Sequence, residues 1–321
     1  GRGWVKRRFI DGFRYGQLNR RTSMIFNPRE QKEMPYTSVR VALFGHYKEN
    51  IYLSPQYIAT LGDITNKNKR AAWLEGRWDV AAGGAFEECW DEDVHLLNDF
   101  TVPSGWTVFP TFDWGNAAPF AVTWWAYTNG EEAYIPRGDG TFDVFTPPAG
   151  TLVLVQTWYG SDGNGNGLRL GATEIATGML EMQKTMVDKF YVMPDTVFEI
   201  GSADGQIFNK INDDDPTIAD WFEQEGISWE RADKSKGSRV NGLALTQERM
   251  LASLKANGRP ALYVMRRNVD WVDTVTTLPT DPKNPDDIDT EAEDHLYDAT
   301  RYAVLRVSNV DATNIEIQMP C

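Results

Sequence analysis

Three consecutive apolar runs, rich in β-branched and aromatic residues, constrain the fold of this chain more than any other feature. They cover residues 106–115, 118–130 and 151–160, and the second ends at Asn129-Gly130, a dipeptide typical of tight turns. Successive strands joined by short connections favour antiparallel pairing. The runs therefore predict a three-stranded antiparallel meander.

A helix and a fourth strand are predicted to follow the meander. Residues 171–190 carry Ile175, Met179, Met182 and Met186 at helical spacing, which indicates a helix with one apolar face. Residues 197–205 then read as a strand that ends in an acid, so the predicted order is β-β-β-α-β. Further elements are predicted at 217–226 (helix), 241–258 (helix), 261–267 (strand) and 291–307 (helix).

The first hundred residues predict a separate, mixed segment. Residues 51–61 and 68–78 resemble short helices that are rich in aromatic side chains, yet together they offer little material for a core. A passage punctuated by Pro and Gly follows, and it places a boundary near residue 100. We therefore expect two regions, 1–100 and 101–321.

Composition excludes several classes of protein. A chain of 321 residues with 41% apolar content is long enough for packed cores. Two cysteines provide neither a disulfide framework nor a zinc site. The sequence contains no run of about 18 apolar residues and no signal peptide, so neither a membrane span nor secretion is predicted.

The net charge of −14 is unevenly distributed. It argues against a protein that coats nucleic acid, because such binding depends on Lys and Arg neutralising phosphates. Residues 1–21 are strongly basic, whereas residues 270–298 hold ten acids and one Lys. The acidic stretch is either a solvated loop or a binding region for divalent cations.

Isolated acids stand at the ends of two predicted strands. Asp113 lies in the apolar sequence PTFDWG, where an unpaired carboxylate is costly. Asp204 follows the strand VFEI, at the carboxyl end where α/β sheets gather their ligands. Each has a simpler interpretation, since Asp113 could pair with an Arg and Asp204 could serve in a turn or a helix cap.

The last predicted helix carries two more acids. Asp294 and Asp298 are four residues apart and therefore lie on one helix face. Their like charges oppose each other, so either solvent covers this face or a cationic group does. Asp298 could also act as a cap or bridge to Arg301. Taken with the β-β-β-α-β order, the four acids predict a ribonuclease H-like α/β fold with a mixed sheet flanked by helices, built to bind two Mg²⁺ or Mn²⁺ ions.

The motifs also resemble those of a known family. The sequences FDWG with APFAVTWWA (112–126), GSADG (201–205), ADKSKGSRVNG (232–242) and EDHLYDATRYAV (293–304) are similar, in this order, to motifs of the nuclease domain of bacteriophage large terminase subunits. RAAWLEGRWDVAAGGAF (70–86) resembles the segment that joins ATPase to nuclease. Gly205 after the second acid is a small departure from the family pattern.

The resemblance implies an endonuclease that cuts concatemeric double-stranded viral DNA during genome packaging. It implies Asp113, Asp204 and Asp294 as metal-binding catalytic acids and Asp298 as a fourth candidate. It also implies duplex DNA, a portal protein and a small terminase subunit as partners, with no membrane. The expected location is the host cytoplasm, with transient attachment to the procapsid portal.

One family feature is absent from the sequence. No G-x-x-x-x-G-K-[ST] motif occurs, so we expect residues 1–100 to be a remnant of the ATPase domain and linker and expect no ATP hydrolysis from this chain alone.

Basic residues between the second acid and the last helix suggest where DNA binds. Lys234, Lys236 and Arg239 are predicted to contact phosphates without reading sequence, although a solvated loop is an equally good interpretation. His295 is interpreted as a structural or supporting residue rather than a general base, because metal-bound water needs no histidine.

Two other functions remain open on the sequence. The chain could be another ribonuclease H-like nuclease, such as a junction resolvase or a transposase-like enzyme. It could also be a catalytically silent motor component that docks on the portal.

Overall fold

The computed structural model describes residues 17–62, 76, 84–163, 165–210, 212 and 215–317. The chain divides into two compact units after Gly83. The second unit thus begins before residue 100, since Phe86 and Cys89 are buried in its core. The assignment of residues 1–100 to an ATPase remnant stays a prediction.

The first unit contains a β-hairpin that the sequence analysis missed. Strands β1 (Leu18–Asn27) and β2 (Lys32–Val41) pair antiparallel, and most of their side chains are exposed. A 3-10 turn at Tyr47–Glu49 and helix α1 (Pro55–Gly62) follow. Helix α1 overlaps the predicted helix at 51–61, but it begins four residues later and ends one residue later. The predicted helix at 68–78 lies outside the described residues, apart from Gly76.

The second unit is organised around a seven-stranded mixed sheet in the part of the chain described. The strands of this sheet are β3 (Leu96–Leu97), β4 (Thr107–Asp113), β5 (Ala121–Tyr127), β8 (Leu152–Tyr159), β9 (Gly201–Ala203), β10 (Trp229–Arg231) and β11 (Leu262–Met265). Between β5 and β8 in sequence, strands β6 (Ala133–Pro136) and β7 (Phe142–Phe145) form a separate antiparallel hairpin. The order in the main sheet is β10-β9-β4-β5-β8-β11-β3.

The strand directions establish the fold class. Strand β5 pairs antiparallel with both β4 and β8, which confirms the predicted meander. Strand β9 then pairs parallel with β4 on its other side, and β10 pairs parallel with β9. The fold is ribonuclease H-like, as predicted.

Helices cover both faces of this sheet. They are α2 (Glu92–His95), α3 (Ala172–Asp188), α4 (Ile218–Gln224), α5 (Ser238–Lys255), α6 (Val269–Val275) and α7 (His295–Ile317). Side chains of α3 and α4 lie in one buried cluster with Val122 and Trp124 of β5. Those of α5, α6 and α7 lie in a second cluster with Phe109 of β4 and Trp125 of β5, so the unit has three layers. None of the described helices is both long and apolar enough to cross a membrane.

Gly201 allows β9 to approach β4 closely. A Cβ atom at this position would overlap the carbonyl oxygen of Pro110 in β4. The obstacle is backbone rather than a flexible side chain, so the strands themselves would have to separate. A residue without a side chain is therefore required here.

Gly201→Ala is expected to lower the free energy of unfolding by about 1–3 kcal/mol, the typical cost of overpacking. Gly138→Ala is the control, because a Cβ at this exposed position would have no atom within 4 Å and its φ is compatible with a side chain. Chemical denaturation of both variants tests this. Equal losses in the two would contradict the requirement for close approach at Gly201.

His95 ties α2 to α5 in the interior. Its Nε2 is 2.9 Å from the Met250 carbonyl oxygen and therefore donates. Its Nδ1 is 2.8 Å from the Asp91 carbonyl oxygen and 3.1 Å from the Asp91 backbone nitrogen. The ring is fully buried and stacks on Trp90. Burial lowers the pKa of His95, against the opposing effect of its hydrogen bonds to the Met250 and Asp91 backbone.

A lowered pKa in the folded state makes the contribution of His95 depend on pH. The stabilisation is fully present above the unfolded pKa of about 6.5 and is lost as the pH falls through the folded value. We expect His95→Leu to cost about 1–3 kcal/mol at pH 8 and progressively less below pH 6. Urea denaturation of both proteins from pH 8 to pH 5 measures the difference, and a constant difference would contradict the assignment.

Candidate metal and nucleic-acid site

Parallel pairing brings Asp113 and Asp204 to the same edge of the sheet. Asp113 is the last residue of β4, and Asp204 directly follows β9. The backbone N–H of Asp204 donates to the Phe112 carbonyl oxygen at 2.9 Å. Each acid is only 5% exposed, so two carboxylates from distant parts of the chain lie side by side in a largely buried position.

Two side chains of α7 hold the Asp113 carboxylate. The Tyr302 hydroxyl donates to Oδ1 at 3.0 Å, and His295 Nδ1 lies 3.0 Å from Oδ2. Burial raises the pKa of Asp113 to about 6, with the His295 hydrogen bond opposing it and the charges of Asp298 and Asp204 adding to it. Burial disfavours the charged form of His295, but the hydrogen bond and charge of Asp113 outweigh it and raise the pKa of the ring.

Asp204 has a backbone partner and a cationic partner. Its Oδ1 accepts from the Gln206 backbone N–H at 2.9 Å, and so Asp204 caps the 3-10 turn Gly205–Phe208. The same oxygen is 2.8 Å from Lys234 Nζ, which also lies 5.7 Å from the Tyr302 ring centroid. The cap interpretation left open by the sequence is therefore part of the structure, but it coexists with a position beside Asp113.

A cationic group covers the acidic face of the last helix. Arg239 places Nη2 at 3.6 Å from Asp294 and Nη1 at 3.7 Å from Asp298, and its Nε donates to Asp287 at 3.2 Å. Burial raises the pKa of Asp294 to about 6, the charge of Asp298 adds to this, and Arg239 opposes it. The repulsion expected between Asp294 and Asp298 is thus offset by a guanidinium.

Asp298 has a second, more deeply buried partner. Arg301 Nε and Nη2 lie 3.2 and 3.1 Å from Asp298 Oδ1, and Arg301 is 1% exposed. The bridge to Arg301 that the sequence left open is present. Because a fully buried guanidinium has little freedom to move away, Asp298 is held more firmly than Asp294.

The N-terminal part of α7 is itself anchored on β4. Thr111 Oγ1 donates to the Ala299 carbonyl oxygen at 2.7 Å in the buried interior. Tyr302, one turn beyond Asp298, supplies the hydroxyl that reaches Asp113. Asp298 and Tyr302 thus share one helix face. The sequence predicted a helix over 291–307 that includes Asp294, but α7 begins at His295. Asp294 directly precedes the helix, and its carbonyl oxygen accepts from the Asp298 backbone N–H at 2.8 Å.

The predicted site residues have different positions in this arrangement. The four acids, Asp113, Asp204, Asp294 and Asp298, gather at one place. Lys234 and Arg239 pair with these acids, whereas Lys236 is exposed in the same loop. Contact of the three basic residues with DNA stays a prediction. The sequence analysis missed Tyr302 and Asp287 as members of the site, and it missed the ion pairs that Lys234 and Arg239 form with the acids.

The donor set suits hard divalent cations, although basic side chains balance it in this structure. In the described part of the chain, no three His, Cys, Asp or Glu side chains are close enough to hold one metal ion. The acids nevertheless interact electrostatically, since Asp204 and Asp298 both raise the pKa of Asp113. A cluster of buried carboxylates that disfavour one another's charge fits Mg²⁺ or Mn²⁺ in its chemistry.

Comparison with known proteins identifies similar solved structures. No family model and no curated protein matches this chain.

The chain is similar in structure to phage large terminases. The nuclease domain of the P22 large terminase has a TM-score of 0.45 and 14% identity, covering 70% of this chain and 93% of that domain. The large terminase of a thermophilic bacteriophage has a TM-score of 0.47 and 15% identity. That comparison covers 83% of this chain and 54% of the thermophilic phage protein, so this chain spans about half of that protein's length.

Arg301→Gln is expected to lower the free energy of unfolding by about 3–5 kcal/mol, because it leaves Asp298 without its buried partner. Arg259→Gln, which breaks an exposed pair with Glu248, should cost less than about 1 kcal/mol. Denaturant titration of both variants is the measurement. A small loss for Arg301→Gln would show that Asp298 does not depend on that guanidinium.

Proposed function

We propose that this chain is a metal-dependent endonuclease of the terminase type, which cuts concatemeric double-stranded viral DNA during genome packaging. The proposal rests on one observation. Carboxylates from two parallel strand ends and from one helix gather at a single edge of a ribonuclease H-like sheet. The ordered motifs of the sequence support the same conclusion.

Asp113, Asp204 and Asp294 would hold two Mg²⁺ or Mn²⁺ ions, with Asp298 as a fourth acid beside them. When bound, such ions supply charge neutralisation at the scissile phosphate and a nucleophilic water. Asp294 is the better metal ligand of the helical pair, because Asp298 already lies within hydrogen-bonding distance of two nitrogens of the buried Arg301.

The protein's own side chains orient these acids. Tyr302 and His295 fix the two oxygens of Asp113, and the Gln206 backbone N–H fixes one oxygen of Asp204. Arg301 holds Asp298. Carboxylates fixed in this way need little rearrangement to accept a cation, which is how supporting residues tune metal sites.

Duplex DNA would approach this edge of the sheet near the loop that carries Lys234, Lys236 and Arg239. Contacts from such residues to phosphates position DNA without reading its sequence. The net charge of −14 makes intrinsic DNA affinity weak, so a portal protein and a small terminase subunit would supply proximity. The reaction would take place in the host cytoplasm, at the procapsid portal.

Plasmid cleavage titrated with Mn²⁺ and Mg²⁺ tests the function. We expect Asp113→Asn, Asp204→Asn and Asp294→Asn each to reduce nicking and linearisation by about 10²-fold or more, because each removes a carboxylate oxygen that would bind metal. Asp286→Asn removes an exposed acid from the same acidic segment and is the matched control.

Three outcomes separate the competing functions. Cleavage of plain duplex that depends on the three acids supports the proposal. Strong preference for four-way junctions or transposon ends would favour a resolvase or transposase-like enzyme. Plasmid that stays intact at every metal concentration would favour a silent portal-docking component, an alternative consistent with the basic partners that the acids have in this structure.

A further inference from the structure

The cations that balance the acidic site differ in how firmly they are held. Arg301 is buried together with Asp298, with 2% and 14% of the two side chains exposed. Lys234 instead reaches Asp204 from a surface loop, and 41% of its side chain is exposed while Asp204 is 7% exposed. One partner is therefore built into the core, and the other is at the rim.

The loop that carries Lys234 has hydrogen bonds of its own that do not involve the lysine side chain. The Ser235 backbone N–H donates to the Asp233 carboxylate at 2.8 Å, and the Ser238 N–H donates to the Ser235 carbonyl oxygen at 3.0 Å. Gly237, at a φ of 90°, then leads into α5. The lysine side chain has a flexible four-carbon stem, so its ammonium can leave Asp204 without a change in this backbone.

Lys234 lies close to the Asp204 carboxylate, which would bind metal in the proposed site. Its Nζ lies 2.8 Å from Asp204 Oδ1, the oxygen that also accepts from the Gln206 N–H. A divalent cation bound to either oxygen of this carboxylate would lie close to the ammonium, and their like charges would repel. Water also competes for the Lys234 ammonium, because 41% of this side chain is exposed.

We propose that Lys234 is a displaceable counterion of Asp204, which neutralises this carboxylate in the metal-free protein and is expelled when a divalent cation binds. The inference rests on the proposed function, because it concerns the same acidic site. It assigns Lys234 to the metal equilibrium rather than only to phosphate contact. Metal-free protein would therefore keep Asp204 in place beside Asp113 without an uncompensated buried charge.

Mn²⁺ binding measures the competition directly. Chelator-treated protein is titrated with Mn²⁺, and the signal of free Mn²⁺ is followed by electron paramagnetic resonance. We expect Lys234→Gln to bind about three- to tenfold more tightly than the wild type, because no ion pair has to break. Lys236→Gln removes the same charge two positions along the same loop and should change the Mn²⁺ affinity less than about twofold.

A double-mutant cycle separates direct competition from a general charge effect. In an Asp204→Asn background, Lys234→Gln should no longer increase Mn²⁺ affinity, because the pair has already been removed. Lys234→Met serves as a second variant, and thermal unfolding of all proteins confirms that they are folded. An equal gain for Lys234→Gln and Lys236→Gln, or no gain for either, would overturn the proposal.

The outcomes also separate this inference from the proposed function. If wild-type protein cuts plasmid and binds Mn²⁺ while Lys234→Gln binds no more tightly, only the counterion inference fails. If neither the wild type nor Lys234→Gln binds Mn²⁺, the metal site itself fails and both proposals fall together.

Discussion

The parallel pairing of β9 with β4 is the interaction on which the site depends. It aligns Phe112 with Ala203, so the residues that follow, Asp113 and Asp204, emerge at one edge of the sheet. The absence of a side chain at Gly201 allows the two backbones to meet. Side chains that are 91 positions apart in sequence thereby become neighbours, and their charges must be compensated locally.

The need to compensate the charges of these carboxylates determines the rest of the site. Buried carboxylates that face one another raise each other's pKa, and the structure offsets this with hydroxyl, imidazole, ammonium and guanidinium groups. Tyr302 and His295 come from the helix that also carries Asp298. The cations come from a different part of the chain, since Lys234 lies in the loop before α5 and Arg239 in its first turn. Two separate elements therefore supply the partners of the acids: α7, and the loop before α5 together with the first turn of that helix.

The sequence predicts those parts of the fold whose pattern is local. The meander and the helix after it were predictable because their buried residues recur at strand or helix spacing, and Asp113 was identified because a lone acid in an apolar run needs a partner. The hairpin Leu18–Val41 was missed because its exposed strands lack an apolar alternation. Strand β10 was missed because its three residues are too few to show a strand periodicity.

The partners of the acids could not be predicted from the sequence for a different reason. Asp204 and Lys234 are 30 positions apart, and Asp113 and Tyr302 are 189 positions apart, so only the folded sheet reveals each pair.

The choice between Asp294 and Asp298 follows from the depth of their partners. Both acids face Arg239 at similar distances, 3.6 and 3.7 Å, so this residue does not distinguish them. Arg301 does, since it binds Asp298 from a buried position. Asp294 lacks this second guanidinium among the ion pairs of the described residues, and burial raises its pKa to about 6. In the proposed site, a divalent cation would offset the electrostatic cost at Asp294, and Asp298 would support the site rather than bind the metal.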